Sequence, residues 1–337
     1  MLLVVCLSGI SGCHRVPDPE FTNSSELQAL KPELQSPIVK ALREQCAAPS
    51  QLKMLWRPDF DAARLRQGHL VYQKRCVQCH GTSGDGNGPV AASLYPRPRD
   101  YRKGIFKFAS TPYGAKPLRT DLIRTVVQGV SGTSMPSFHL LPNPEVEAVV
   151  DYVLALTHRG ELESQLTAEV ASADAYEEDV LKDTIDSIKG RWEQAAQDVY
   201  QPVTPQPVFT AEHVNAGKAA FLSKGCAQCH GADGRGQAPE NLKGDRKDAW
   251  GYPTRAADLT SGMLRGGTRP IDLYRRIYAG INGTPMPAFN NLLKDEPQTI
   301  WNLVAYVLHV SGRRRAGEIL PAGDIAPYIT SAIPATK

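Results

Sequence analysis

Two short cysteine–histidine clusters carry the residues of this chain that are best suited to chemistry. Residues 76–80 read Cys-Val-Gln-Cys-His, and residues 226–230 read Cys-Ala-Gln-Cys-His. A Cys-x-x-Cys-His segment is the attachment signature of c-type haem, in which two thiols bond to the porphyrin and the histidine binds iron. The sequence therefore predicts two covalently bound haem c groups. Their predicted contacts are Cys76, Cys79 and His80 for the first, and Cys226, Cys229 and His230 for the second.

Two other readings fit a Cys-x-x-Cys pair taken alone. Such a pair can be a thiol redox motif, and two pairs can together form a Cys₄ zinc site. Neither reading explains why each pair has its own histidine, its own glycine-rich loop and its own downstream methionine. We therefore prefer haem.

Methionine is the expected sixth iron ligand, because cytochrome irons are commonly bound by Met or His. Met135 and Met286 share the context Gly-Thr-x-Met-Pro-x-Phe and follow their histidines by nearly equal distances. A methionine can also simply fill a gap in a core. Met263 and His139 are the weaker alternatives, since neither has a counterpart in the other half.

The matching clusters belong to an internal repeat with an offset of about 150 residues. In each half an amphipathic helix precedes the cluster, and a Gly/Pro-rich loop, a short helix, the Met-Pro loop and a closing helix follow. The predicted opening helices are 61–74 and 211–223, and the predicted closing helices are 143–157 and 296–310. One amphipathic helix is predicted in the acidic stretch between the halves, and another near 25–46.

These elements divide the chain into six segments. They are a signal region (1–13), an N-terminal tether and helix (14–56), a first domain (57–158), an acidic helical linker (159–207), a second domain (208–315) and a tail (316–337).

The net charge of +3 is too small to indicate a nucleic-acid partner. It hides an asymmetry: residues 57–124 carry a net charge of about +8, and residues 161–198 about −8. The basic stretch would suit an acidic partner, or would dock on the acidic linker of the same chain.

The apolar residues 1–12 are too short to span a bilayer and are typical of a cleaved export signal. Residues 10–13, Ile-Ser-Gly-Cys, resemble a bacterial lipobox, in which Cys13 would carry the lipid anchor. An ordinary secretory signal is the alternative. Cys46 is then left over, and we expect a buried, idle thiol.

Each half resembles a class I cytochrome c domain, on the strength of its Cys-x-x-Cys-His segment and its Met-Pro loop. The resemblance covers residues 60–158 and 208–312 and implies an all-α fold in which the first and last helices cross. The implied crossing residues are Gly68, Tyr72 and Tyr152 in the first half, and Gly217, Phe221 and Tyr306 in the second. It also implies that a loop proline, Pro89 or Pro239, offers its carbonyl to the haem-binding histidine.

Arginines near the clusters are candidates for neutralising the haem propionates, with a solvated basic surface as the alternative reading. They are Arg97, Arg99 and Arg102 in the first half, and Arg255, Arg269 and Arg275 in the second.

Irons held by His and Met have both axial positions filled, which favours one-electron transfer over substrate chemistry. We therefore expect a non-enzymatic electron carrier, exported to the periplasmic side and held there by its lipid anchor. Its partners would be redox proteins of a respiratory chain, such as a respiratory complex, an oxidase or another cytochrome. A di-haem enzyme, either a peroxidase or a sulfur-compound dehydrogenase, is the alternative, and a non-catalytic subunit of a respiratory complex would look the same in sequence.

Overall fold

The computed structural model describes residues 19–313, which contain twelve α-helices. They are α1 (Ser25–Gln28), α2 (Pro32–Cys46), α3 (Ala62–Arg75), α4 (Val77–His80), α5 (Arg119–Gln128), α6 (Asn143–Ala173), α7 (Glu178–Gln197), α8 (Ala211–Ser223), α9 (Ala227–His230), α10 (Pro239–Leu242), α11 (Pro270–Tyr278) and α12 (Gln298–Arg313). No β-strand occurs between residues 19 and 313, and the predicted all-α fold is confirmed.

The first domain is built on the crossing of α3 and α6. Gly68 lies at the crossing, where a Cβ atom would collide with the main-chain carbonyl of Ala148. One turn along, the rings of Tyr72 and Tyr152 pack with their centroids 5.3 Å apart. The predicted crossing is confirmed, and glycine is needed because no side chain fits between the two backbones.

The second domain repeats this arrangement with α8 and α12. Gly217 faces the carbonyl of Asn302 just as closely, and the rings of Phe221 and Tyr306 lie 5.1 Å apart. One more residue separates Phe221 from the cysteine cluster than in the first domain. Gly225 absorbs it with φ of 92°, a conformation that favours glycine.

A methyl group at the first crossing should be costly. We expect Gly68→Ala to lower the free energy of unfolding by about 1–3 kcal/mol, since α3 and α6 must move apart to admit it. Urea unfolding followed by circular dichroism measures the change. The matched control is Gly190→Ala on α7, where nothing lies within 4 Å of the added atom; it should stabilise by about 0.5–1 kcal/mol. Equal effects of the two substitutions would contradict the proposed crossing contact.

The closing helix of the first half was predicted to end at 157, but α6 continues to Ala173. Leu162, Leu166 and Val170 recur every fourth residue and are fully buried, so the apolar face of α6 runs on without interruption. The helix ends where Asp174 takes a left-handed conformation. The predicted single linker helix is therefore wrong: its first part belongs to α6, and its second part is α7, which packs back against α6.

Residues preceding the first domain complete this helical layer. The helix predicted near 25–46 is interrupted at Lys31, because a residue before proline avoids helical geometry, and α2 begins at Pro32. Leu27, Ile38 and Leu42 are buried in the same core as α6. We call α1, α2, α7 and the second half of α6 the helical cap of the first domain.

A buried histidine lies inside the helical cap. His158 is packed between the rings of Trp56 and Trp192, at centroid distances of 4.1 and 4.8 Å. Burial lowers its pKa to about 3, so the ring is neutral at physiological pH. It therefore serves as an apolar packing group here.

The two domains meet through main-chain and side-chain hydrogen bonds. Arg276 of α11 is buried and donates to the carbonyl of Ala109 at 3.0 Å. Asn282 accepts from the amide of Gly114 at 2.8 Å. Burial at this contact between the two domains lowers the pKa of Arg276 to about 10.

None of the helices between residues 19 and 313 combines the length and the apolar character that crossing a bilayer requires.

Candidate functional site

The first cysteine cluster lies on a single helical turn. Helix α3 ends at Arg75 and α4 starts at Val77, with Cys76 alone between them, and the amide of His80 donates to the carbonyl of Cys76 at 2.9 Å. The second cluster repeats this bond between His230 and Cys226 at 3.0 Å. Each turn places its two thiols and its histidine beside the core of its own domain.

A main-chain carbonyl fixes the ring of His80. Its Nδ1 donates to the carbonyl of Arg99 at 3.1 Å, and the ring stacks on Tyr101 with centroids 4.7 Å apart. Burial lowers the pKa of His80 to about 4, so the imidazole is neutral and Nε2 keeps its lone pair. A neutral imidazole with one nitrogen engaged in this way is the form that binds a metal.

His230 is held in the same way by the carbonyl of Ala257, 3.0 Å from its Nδ1, and burial lowers its pKa as well. The expectation that Pro89 and Pro239 supply these carbonyls is therefore wrong. Pro239 begins helix α10, and its carbonyl accepts from the amide of Lys243. The residue after Pro89 is bonded to the cysteine cluster instead, since the amide of Val90 donates to the carbonyl of Gln78.

The two methionine loops have the same hydrogen bonds. Val130 donates to the carbonyl of Met135 at 3.1 Å, and the amide of Met135 donates to the Thr133 hydroxyl at 3.2 Å. In the second domain Ile281 donates to Met286, and Met286 donates to Thr284, both at 3.2 Å. Each methionine is thus presented by a tight, internally bonded loop.

A cleft in the first domain brings the predicted haem contacts together. Cys76, Cys79 and His80 line it together with Met135. The rest of the lining is mostly apolar and comes from the opening helix, the loop 94–108, α5, the methionine loop and the closing helix, together with Arg265 of the second domain. These walls and donors fit a flat apolar macrocycle with an iron at its centre.

The rival ligands lie elsewhere. His139 is exposed, with its Nδ1 2.8 Å from the Ser137 hydroxyl, and does not line the cleft. Met263 is also largely exposed and packs on Gly132 of the first domain's methionine loop. Neither observation supports a role as an iron ligand.

The cysteines are poorly suited to the alternative chemistries. Burial raises the pKa of Cys76 to about 12 and that of Cys226 to about 11, whereas a thiol redox motif needs a thiolate of lowered pKa. The two pairs lie in different domains, and no three His, Cys, Asp or Glu residues within 19–313 are arranged to hold a metal ion. Cys46 is buried and its pKa is raised to about 12, as expected for an idle thiol; Cys13 lies outside the described residues.

The candidate propionate arginines divide into two groups. Arg97 and Arg99 line the first cleft. Three of the others bond elsewhere: Arg102 to Asp100, Arg255 to the carbonyl of Leu242 and Arg269 to Asp272. Arg275 does not line this cleft, and burial and the like charge of Arg124 lower its pKa.

Lys107 and Arg265 also line the first cleft, and sequence reasoning missed both. Nothing in the sequence distinguishes Lys107 from the many other basic residues of the first domain. Arg265 belongs to the second domain and has no counterpart in the first half, so the repeat gave no signal for it.

Comparison with known proteins agrees with this geometry. Residues 214–311 match the family model "Cytochrome c", and residues 63–153 match "Cytochrome C oxidase, cbb3-type, subunit III". No curated protein matches the chain.

Among solved structures, the chain is similar to one from the reducing HAO-like protein complex of Kuenenia stuttgartiensis. The identity is 29% and the TM-score 0.57, over 72% of this chain and 95% of that one. Cytochrome c domains transfer electrons and bind haem c covalently. With one such domain in each half, the chain belongs to the class I c-type cytochromes and carries two cytochrome c domains in tandem.

Proposed function

We propose that the chain is a di-haem electron carrier rather than an enzyme. One haem c would be bonded to Cys76 and Cys79, with its iron between His80 and Met135. The second would be bonded to Cys226 and Cys229. Its iron would lie between His230 and Met286.

The observation that carries this proposal is the equivalence of the two sites. Both histidines are half-buried and fixed through Nδ1 by a carbonyl, and both methionine loops have the same two hydrogen bonds. An enzyme acting on a small substrate needs an open or displaceable position at one iron. The two loops give no reason to assign such a position to either domain.

The protein's part in the chemistry is to hold both irons in constant surroundings. Bound haem supplies a one-electron Fe(III)/Fe(II) couple. The carbonyls of Arg99 and Ala257 keep the imidazoles in one tautomer and orientation, and the methionine loops hold the thioethers in position. Rigid ligands favour electron transfer because little rearrangement accompanies it.

We also propose that the protein works on the periplasmic side of a bacterial membrane, anchored through Cys13, and exchanges electrons with proteins of a respiratory chain. The apolar segment 1–12 followed by the lipobox-like residues 10–13 supports export and anchoring. The similarity to a chain of a reducing HAO-like complex supports a multi-subunit redox partner.

A redox titration monitored by optical spectra tests the proposal on the full chain, produced in a host that attaches haem c. We expect two reversible one-electron steps, and in the oxidised protein the weak near-infrared band of methionine ligation from both haems. A high-spin haem, or one that binds peroxide or another small ligand in the resting protein, would favour an enzyme instead.

A further inference from the structure

One rim of the first cleft carries a concentration of positive charge. Arg97, Arg99, Lys107 and Arg265 all line the cleft. Among them, and within residues 19–313, only Arg99 and Lys107 approach a carboxylate, that of Asp248 at 4.0 and 3.2 Å. Burial and the like charges of Arg99 and Arg265 lower the pKa of Lys107 to about 8. Several positive charges held close together in a half-buried site repel one another, and an anion bound between them would be stabilised.

Part of this rim comes from the second domain. Residues 263–266, which we call the strap, run along the first domain from its methionine loop to the cleft wall. At one end Met263 contacts Gly132, with its sulfur 3.1 Å from the position of a Cβ on that glycine. At the other end Gly266 abuts the ring of Phe108, which lines the cleft.

Arg265 lies between these two contacts. Its guanidinium is half-buried and has no hydrogen-bond or ion-pair partner in the part of the chain that the structure describes. The contacts at Met263 and Gly266 fix the backbone on either side of it, so Arg265 is held at the rim by the packing of the strap.

A second contact from the same domain holds Arg99. The indole of Trp250 covers the Arg99 guanidinium at 3.5 Å, and its Nε1 donates to the carbonyl of Asp100 at 3.2 Å. A cation over an indole face is attracted by the ring's charge distribution. Arg99 is also the residue whose carbonyl fixes His80. Arg99 therefore contributes its side chain to the positive rim and its carbonyl to the positioning of His80.

We infer that Arg265 of the second domain, together with Arg99 and Lys107 of the first, binds the propionates of the first haem. The inference rests on the proposed haem binding. Haem matches this cleft because it is a flat apolar ring with two carboxylates on one edge. The carboxylate edge of the first haem then faces the second domain, and the docking of the two domains helps to set the first haem's potential.

Replacing Arg265 tests this inference. In the full haem-loaded chain, Arg265→Gln should leave the haem content unchanged and make reduction of the first haem less favourable, because a positive charge that opposes the ferric state is lost. We expect the equilibrium constant for reduction to fall about threefold to tenfold, and a tenfold change is 59 mV for one electron. The step that belongs to the first haem is identified as the one that moves in a Met135→His variant.

The charge control is Lys218→Gln, an exposed residue of α8 that does not line the cleft. It should shift neither potential by a comparable amount. The inference is overturned if Arg265→Gln leaves the first haem unchanged, or if it moves both haems equally. A wild-type first domain that takes up no haem would overturn the proposed function as well, and measurement of haem content shows this before any variant is made.

Discussion

Replacing Met286 with histidine should lower the reduction potential of the second haem by on the order of tenths of a volt, within the roughly 0.8 V range that axial ligands span in haem proteins. A thioether favours ferrous iron more than an imidazole does, so exchanging one for the other stabilises the oxidised state. The loop hydrogen bonds at Ile281 and Thr284 use main-chain groups of residue 286, and the substitution keeps both.

The measurement is a redox titration of the variant beside the wild type, with spectra at each potential. One of the two steps should move, and half of the near-infrared methionine band should disappear. Met263→Leu is the matched control, because Met263 packs on Gly132 of the first domain and its replacement should leave the step of the second haem in place. If Met263→Leu removes half of the band and Met286→His does not, the ligand assignment in the second domain is wrong.

Replacing Cys226 and Cys229 together by alanine should remove one covalent haem and leave the other. Each cluster lies against the hydrophobic core of its own domain, so loss of attachment in one domain should not prevent it in the other. After denaturation and removal of free haem, the variant chain should be heavier than the bare polypeptide by one haem, and the wild type by two.

Cys46→Ala is the control for this experiment. Cys46 is buried in the core of the first domain, and its pKa is raised to about 12, so it is not expected to react. This variant should keep both haems. If the variant without Cys226 and Cys229 loses both haems, attachment in one domain depends on the other, which would contradict two independent sites.

The sequence was a good guide wherever the two halves could be compared. The crossings at Gly68 and Gly217, the methionine loops and helix α8 are local features that each half repeats, so one copy supports the interpretation of the other. Pro144 stands at the second position of α6, where its missing N–H costs nothing.

Features found in only one half were harder to predict. The extension of α6 past residue 157 depends on burial of Leu162, Leu166 and Val170 against α1 and α2, which lie more than a hundred residues earlier. The local sequence after residue 157 is compatible both with a helix that continues to Ala173 and with one that stops sooner. Only the partner surface decides between them.

The carbonyls that accept hydrogen bonds from His80 and His230 could not be predicted from the sequence, for a different reason. The carbonyl of any residue can accept a hydrogen bond, so no side-chain type marks Arg99 or Ala257 for this role. Pro89 and Pro239 matched each other in the repeat, but only Pro239 starts a helix, and helix geometry then directs its carbonyl to Lys243. Arg265 reaches the first cleft through domain docking, which no repeat can encode.

The basic stretch of the first domain finds only part of its partners in the acidic linker. Lys116 pairs with Glu161, a residue of α6 within that stretch. Arg64 and Arg119 instead pair with Asp151 of the closing helix. Lys107 pairs with Asp248 of the second domain. Part of the charge asymmetry in the sequence is thus neutralised within the chain, which leaves less of it for steering an acidic partner.

The most direct test of the account is the intact mass of the denatured full chain, produced with the machinery that attaches haem c. We expect the mass of the polypeptide plus two haems, and a metal assay of the native protein should return one iron for each haem and no zinc. A chain that carries no covalent haem, or that returns zinc in place of iron, would contradict it.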